Sequence, residues 1–194
     1  MPWLVIGMIV FLGVHSIRIV APGFRDRTIT ARGERAWKAI YSLASIVGFV
    51  LVIWGYGQAR QTAPVLYTGT AALAGVAMLL MIPASILLVA ALLPAGRIKV
   101  AVKHPMLTAV KTWAVAHLLV NGDLASIVLF GGFLVWAVAD RISESRRLEA
   151  GITKNPVLVS GRSDVIAVVV GLVVYGLFVW TLHEWLIGVP PIIE

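Results

Sequence analysis

The chain contains no cysteine. That absence removes disulfide frameworks, thiolate nucleophiles and Cys-ligated zinc or iron–sulfur centres together. Any metal chemistry therefore rests on the four histidines. Charge is also scarce: 13% of residues are charged, against roughly 25% in soluble domains. Only nine acids face sixteen basic residues, too few for the acid rings of cation pores. Alternating apolar and polar runs are missing as well, which argues against a membrane β-barrel. What is abundant is apolar surface. Hydrophobic residues make up 60% of the 194 and mean hydropathy is +0.96, more than a soluble fold of this size can hide. The length suits one domain of about six spans of about 20 residues. It leaves no room for a separate soluble catalytic domain. The reading is thus a single all-α transmembrane bundle over residues 1–194.

Apolar segments fall at about 2–20, 39–57, 68–92, 106–120, 124–139 and 165–187, with Pro83 inside the third and the fourth least hydrophobic. The first has no preceding Lys or Arg and no small-residue cleavage site, so it reads as a permanent span. Lys and Arg positions test this division independently, because cytoplasmic loops concentrate them. Arg18, Arg25, Arg27, Arg32, Arg35 and Lys38 surround the first connection. Arg97, Lys99 and Lys103 precede the fourth segment, and Arg141, Arg146, Arg147, Lys154 and Arg162 separate the last two. The second connection has Arg60 alone, and the Asn121-Gly122-Asp123 turn has none. Connections one, three and five are expected in the cytoplasm, with both termini outside. A net charge of +7 spread over these loops does not make a nucleic-acid surface.

Trp3, Trp37, Tyr41, Trp54, Tyr56, Tyr67, Trp180 and Trp185 lie near span ends, as headgroup-level anchors do. Ala71 and Gly75 form a small-xxx-small pair that favours close helix approach. Pro83 is expected to kink the third helix. Beyond Asp140 the chain turns polar, and the first part of that stretch is expected to continue the fifth helix.

Ionisable groups at membrane depth are expensive, so the few present are informative. His15 and Arg18 share a face of the first span. Lys111 and His117 lie on the fourth, and His183 lies near the end of the sixth. Arg18 has a plain reading in snorkelling to the headgroups. For His15, a hydrogen-bonded core imidazole competes with a metal or proton-transfer role. If the fourth span begins near Lys111, His117 sits about 9 Å inside, a depth that matches His15, and two such imidazoles can grip one iron macrocycle. If it begins at His104, the two depths differ by about 10 Å and shared ligation becomes harder. Asn121 and Asp123 suit either support of an imidazole or simple turn chemistry. His104 and His183 read as interface residues, with His183 the reserve ligand.

The runs GVHSIRIVAPGFRDR, GERAWKAIYSLASIVGF and WGYGQAR, then KHPMLTAVKTWAVAHLLVNGDLASIVLFG and the late HEWLIGV, resemble the NnrU family of bacterial membrane proteins over essentially the whole chain. The resemblance implies an inner-membrane protein linked to nitrite and nitric oxide reduction in denitrification. The family is also similar to plant zeta-carotene isomerase, which carries haem b and isomerises a cis double bond. In that relative one ligand lies on an early helix and another ends a Trp-Cys-x-Ala-His segment after Arg-His-Pro. Lys103-His104-Pro105 and Trp113-Ala114-Val115-Ala116-His117 match that region, which carries the ligand role onto His117, with His15 its counterpart on the first helix. Ala114 replaces the relative's cysteine, so the redox-linked ligand exchange does not transfer.

These readings give a haem b protein with His15 and His117 as axial ligands and Arg18 beside a propionate. It would sit in the lipid bilayer and handle a gaseous or lipid-soluble small molecule, either in redox chemistry or in isomerisation. A methyltransferase of the isoprenylcysteine type resembles the chain at His104-Pro105, although Glu144 and Glu149 are sparse acids for its cofactor contacts. A non-enzymatic assembly partner is the third reading, because no complete set of nucleophile, base and orienter is visible.

Overall fold

A computed structural model of the chain describes residues 1–191. Helix α1 (Pro2–Val20) opens with proline in its first turn, where the missing N–H is no loss. It ends at Ala21, whose backbone (φ −142°, ψ 56°) leaves the helical region that a following Pro22 disfavours. Pro22 then starts a short basic helix, α2 (Pro22–Arg32), none of whose residues is buried. Gly33, at φ 82°, turns the chain into α3 (Glu34–Ala59). Strand β1 (Val65–Thr68) leads to α4 (Ala71–Leu92), then α5 (Arg97–Val102) and α6 (Pro105–Val120). Strand β2 (Asn121–Asp123) runs directly into α7 (Leu124–Glu149). The last helix, α8 (Arg162–Leu177), passes through a π-helical turn (Phe178–Leu182) into α9 (His183–Ile187).

Five helical stretches have the length and hydropathy to cross a membrane: α1, α3, α4, α7 and the continuous run Arg162–Ile187. The fourth expected span, α6, has 16 residues and rises about 24 Å, short of a hydrocarbon core of about 30 Å. It begins at Pro105, with His104 as its N-cap residue. As expected, α7 continues well beyond residue 139. The strand pair was not anticipated. β1 and β2 pair antiparallel, and Asn-Gly-Asp is extended where a turn was read. At Gly122 any side chain would collide with the Tyr67 carbonyl.

The helices pack in the series α3, α1, α7, α6, α4, α8, each on the next. Small residues set the closest approach. A Cβ on Gly48 would meet the backbone nitrogen of Phe11 at 2.7 Å, and one on Gly7 would meet that of Val52 at 2.6 Å. Gly75 meets nothing within 4 Å, so the Ala71/Gly75 pair does not mark a contact. Leu4, Met8, Val52, Ala114, Ala125, Leu129 and Phe130 form the central core. The exterior is apolar: Ile9, Leu43 and Leu79 are each about two-thirds exposed, which is favourable only where lipid is the solvent. Pro83 lies within α4 without ending it.

The bundle has two unlike ends. One carries the basic connections, the start of α6 and the polar extension of α7; it is called here the basic end. The other carries the two strands, the start of α7 and α9; it is called here the strand end.

Candidate functional site

At the strand end, Asp123 caps α7, its carboxylate accepting from the Ser126 backbone N–H at 2.9 Å. The same carboxylate accepts from the Ser126 hydroxyl, which lies 2.9 Å from the Tyr56 hydroxyl. Asn121 donates to the His117 carbonyl at 2.9 Å. Both polar residues are thus engaged in the backbone and capping, and neither holds an imidazole ring.

His117 itself is half-buried. Its Nδ1 lies 2.9 Å from the Trp113 carbonyl, one turn back. Its ring stacks on Phe130 at 4.5 Å and neighbours Trp113 at 5.2 Å. Across from it, 6.3 Å away and within 21° of parallel, is the ring of His183. His183 Nδ1 lies 2.7 Å from the Val189 carbonyl. That return is possible because Gly188 takes the left-handed conformation, φ 73°. A carbonyl can only accept, so each bonded Nδ1 carries the hydrogen and each neutral Nε2 keeps its lone pair. This is the tautomer that a metal-ligating histidine needs.

Two features place His183 there. The π-helical turn Phe178–Leu182 inserts an extra residue into the helix just before it and rotates every later side chain; such turns are frequent at functional sites. Arg60 then reaches across from the end of α3 and donates to the Ile187 carbonyl at 3.0 Å. The lone basic residue of the second connection is therefore a tether for α9.

His15 lies toward the opposite end. Its Nδ1 also donates one turn back, to the Phe11 carbonyl at 2.7 Å, and its ring neighbours Phe11, Tyr41 and Trp136 at 4.3, 5.3 and 6.0 Å. It stands five residues before the basic end of α1, about 8 Å, while His117 stands twelve residues from the basic end of α6, about 18 Å. The structure brings His117 together with His183. It does not bring His117 together with His15, since the aromatic rings of Phe11, Phe133 and Trp113 lie between them.

A cleft of about 490 Å³ opens beside His15, lined among others by Arg18, Tyr41, His104, Trp136 and Asp140. Arg147 binds Glu144 and lies 3.6 Å from Asp140, and it donates to the Arg18 backbone carbonyl at 3.2 Å. The Arg18 side chain stands 4.0 Å from Glu144. His104 is held below the ordinary imidazole range, by burial first and then by the Arg141 charge. Among the described residues, no group of three or more His, Asp or Glu side chains is placed to hold a metal ion. The histidine pair at the strand end is where two imidazole rings from different helices neighbour each other.

Sequence reasoning ranked His183 second and overlooked Asp140. The signal for His183 lies in the π-helical turn, which no periodicity of apolar residues reveals. Asp140 had a readable sign: it is an acid with Arg147 seven residues, about two helical turns, further along the same face.

No curated protein and no solved structure matches the chain. A family comparison matches residues 3–191 to the NnrU protein, so this multi-helix membrane chain belongs to the NnrU family.

Proposed function

We propose that this protein binds haem b at the strand end, with His117 as one axial ligand and His183 as the other. The observation that carries the reading is the parallel pair of imidazoles 6.3 Å apart, each fixed through Nδ1 to a backbone carbonyl. Phe130 and Trp113 hold the His117 ring from one side, and Arg60 and Gly188 hold the segment bearing His183. Haem iron there would supply one-electron redox chemistry or the binding of a small gas, in keeping with the nitrite and nitric oxide chemistry that the family resemblance implies. The chain's own residues fix the ligand tautomers and line the site with apolar and aromatic groups that exclude water.

The distribution of Lys and Arg supports a basic end facing the cytoplasm and a strand end outside, in a bacterial inner membrane. Shared ligation by His15 and His117, with Arg18 at a propionate, is the competing arrangement. It is favoured by the matching tautomer of His15, but requires a displacement of about 10 Å along the helices. The reading is tested by expressing the full chain in haem-replete cells, purifying it and recording a reduced-minus-oxidised spectrum. A Soret band with the sharp bands of a six-coordinate haem b is expected, and the absence of any Soret band overturns it.

A further inference from the structure

The cleft at the basic end has a makeup that ligation at the strand end does not use. Its deeper wall is apolar, with Val14, Ile17 and Leu107. Its rim is cationic, with Arg18, Arg25 and Lys103. Arg25 pairs only with its own neighbour, exposed Asp26, at 3.2 Å. Lys103 has no ion-pair partner among the described residues. The two acids of the lining, Asp140 and Glu144, are both engaged by Arg147, and Glu144 also lies 4.0 Å from Arg18, which leaves Arg25 and Lys103 on the rim without a lining acid.

Two further observations mark the cleft as a binding place. Lys103 is the one described residue other than glycine with positive φ, 65°, and such strain persists where surrounding structure enforces it, often at ligand clamps. Trp136, which lines the cleft, has a buried indole N–H with no hydrogen-bond partner, although a buried donor normally has one. The volume, about 490 Å³, is that of a small-molecule site.

We propose that this cleft binds the phosphate headgroup of an anionic membrane lipid, with Arg18 and Lys103 pairing the phosphate and the apolar wall taking the start of an acyl chain. An anionic head on an apolar body matches a site that is cationic at its mouth and apolar within. The basic end is also where a bilayer presents such lipids to a protein whose basic loops face the anionic leaflet. Guanidinium binds phosphate through paired hydrogen bonds, and lysine adds a point charge.

The test is native mass spectrometry of the full chain in neutral detergent, titrated with phosphatidylglycerol or with phosphatidylcholine of matched acyl chains. One phosphatidylglycerol is expected to be retained about tenfold more tightly than phosphatidylcholine. In the double variant R18Q/K103Q the preference should fall to within about twofold, with circular dichroism unchanged. In R162Q, a basic residue outside the cleft, it should persist. Equal retention of the two lipids by the wild type overturns the proposal. So does an equal loss in R162Q, or displacement of the lipid by inorganic phosphate at comparable concentration. If R18Q/K103Q loses helicity, the single variants R18Q and K103Q carry the same test, and unchanged preference in both overturns the role given to the cleft.

Discussion

The two ends of the bundle use the same local device for different ends. At both, a helix histidine donates from Nδ1 to the carbonyl one turn back, leaving Nε2 available. At the strand end a second imidazole faces the first, brought there by a π-helical turn, a left-handed glycine and an arginine tether. At the basic end the histidine faces aromatic rings and a charged cleft. A histidine's depth in the membrane therefore does not set its surroundings; the elements packed against it do.

The comparison breaks most completely at His117. His117→Ala should abolish the bound haem spectrum, with loss of nearly all Soret absorbance per protein, while lipid retention at the basic end is unchanged. Loss of both together would mean that the ends are not separate. Next comes Gly48→Leu on the α1/α3 contact, where a side chain would collide with the Phe11 backbone. Overpacking there should cost about 1–3 kcal/mol, read as a lower Tm in detergent, and should loosen His15, which follows Phe11 by one turn, more than His117.

A smaller effect is expected from Asp123→Ala. It removes the α7 cap and the carboxylate behind Ser126 and Tyr56, and should cost about 0.5–2 kcal/mol by thermal unfolding. A change confined to the strand end would sharpen the comparison. Smallest is the pH response of the basic end. The folded chain holds His104 below the ordinary value of 6.5, so as pH falls through 6.5 the unfolded chain takes up its proton first and stability declines. His104→Gln should flatten that decline slightly below pH 6.5. The residues facing His104 are Arg141, Arg147, Asp140 and Glu144, and a decline unchanged in the variant would assign it to those carboxylates.

Much of the fold was readable because the bilayer makes hydrophobic length decisive. Five long apolar helices lie where hydropathy places them, and the first, Pro2–Val20, agrees to the residue. The start of α6 is legible in Pro105, which suits a first helical turn. Helix α2 was missed because it buries nothing, so no apolar stripe betrays it. The strand pair was missed because its partners lie more than fifty residues apart and are only three and four residues long. For the site, the sequence yielded the residue types and their helices. Which histidine meets which depends on a helix register shift and on the tether from Arg60, neither of which is a pattern along the chain.

The proposed haem site pairs His117 with His183 at its own end of the bundle. Electron paramagnetic resonance of the oxidised full chain, with His183→Ala set against His15→Ala, is the sharpest test. His183→Ala should convert a low-spin bis-imidazole signal to high spin, while His15→Ala should leave it intact. A low-spin signal that survives in His183→Ala and is lost in His15→Ala would contradict that pairing.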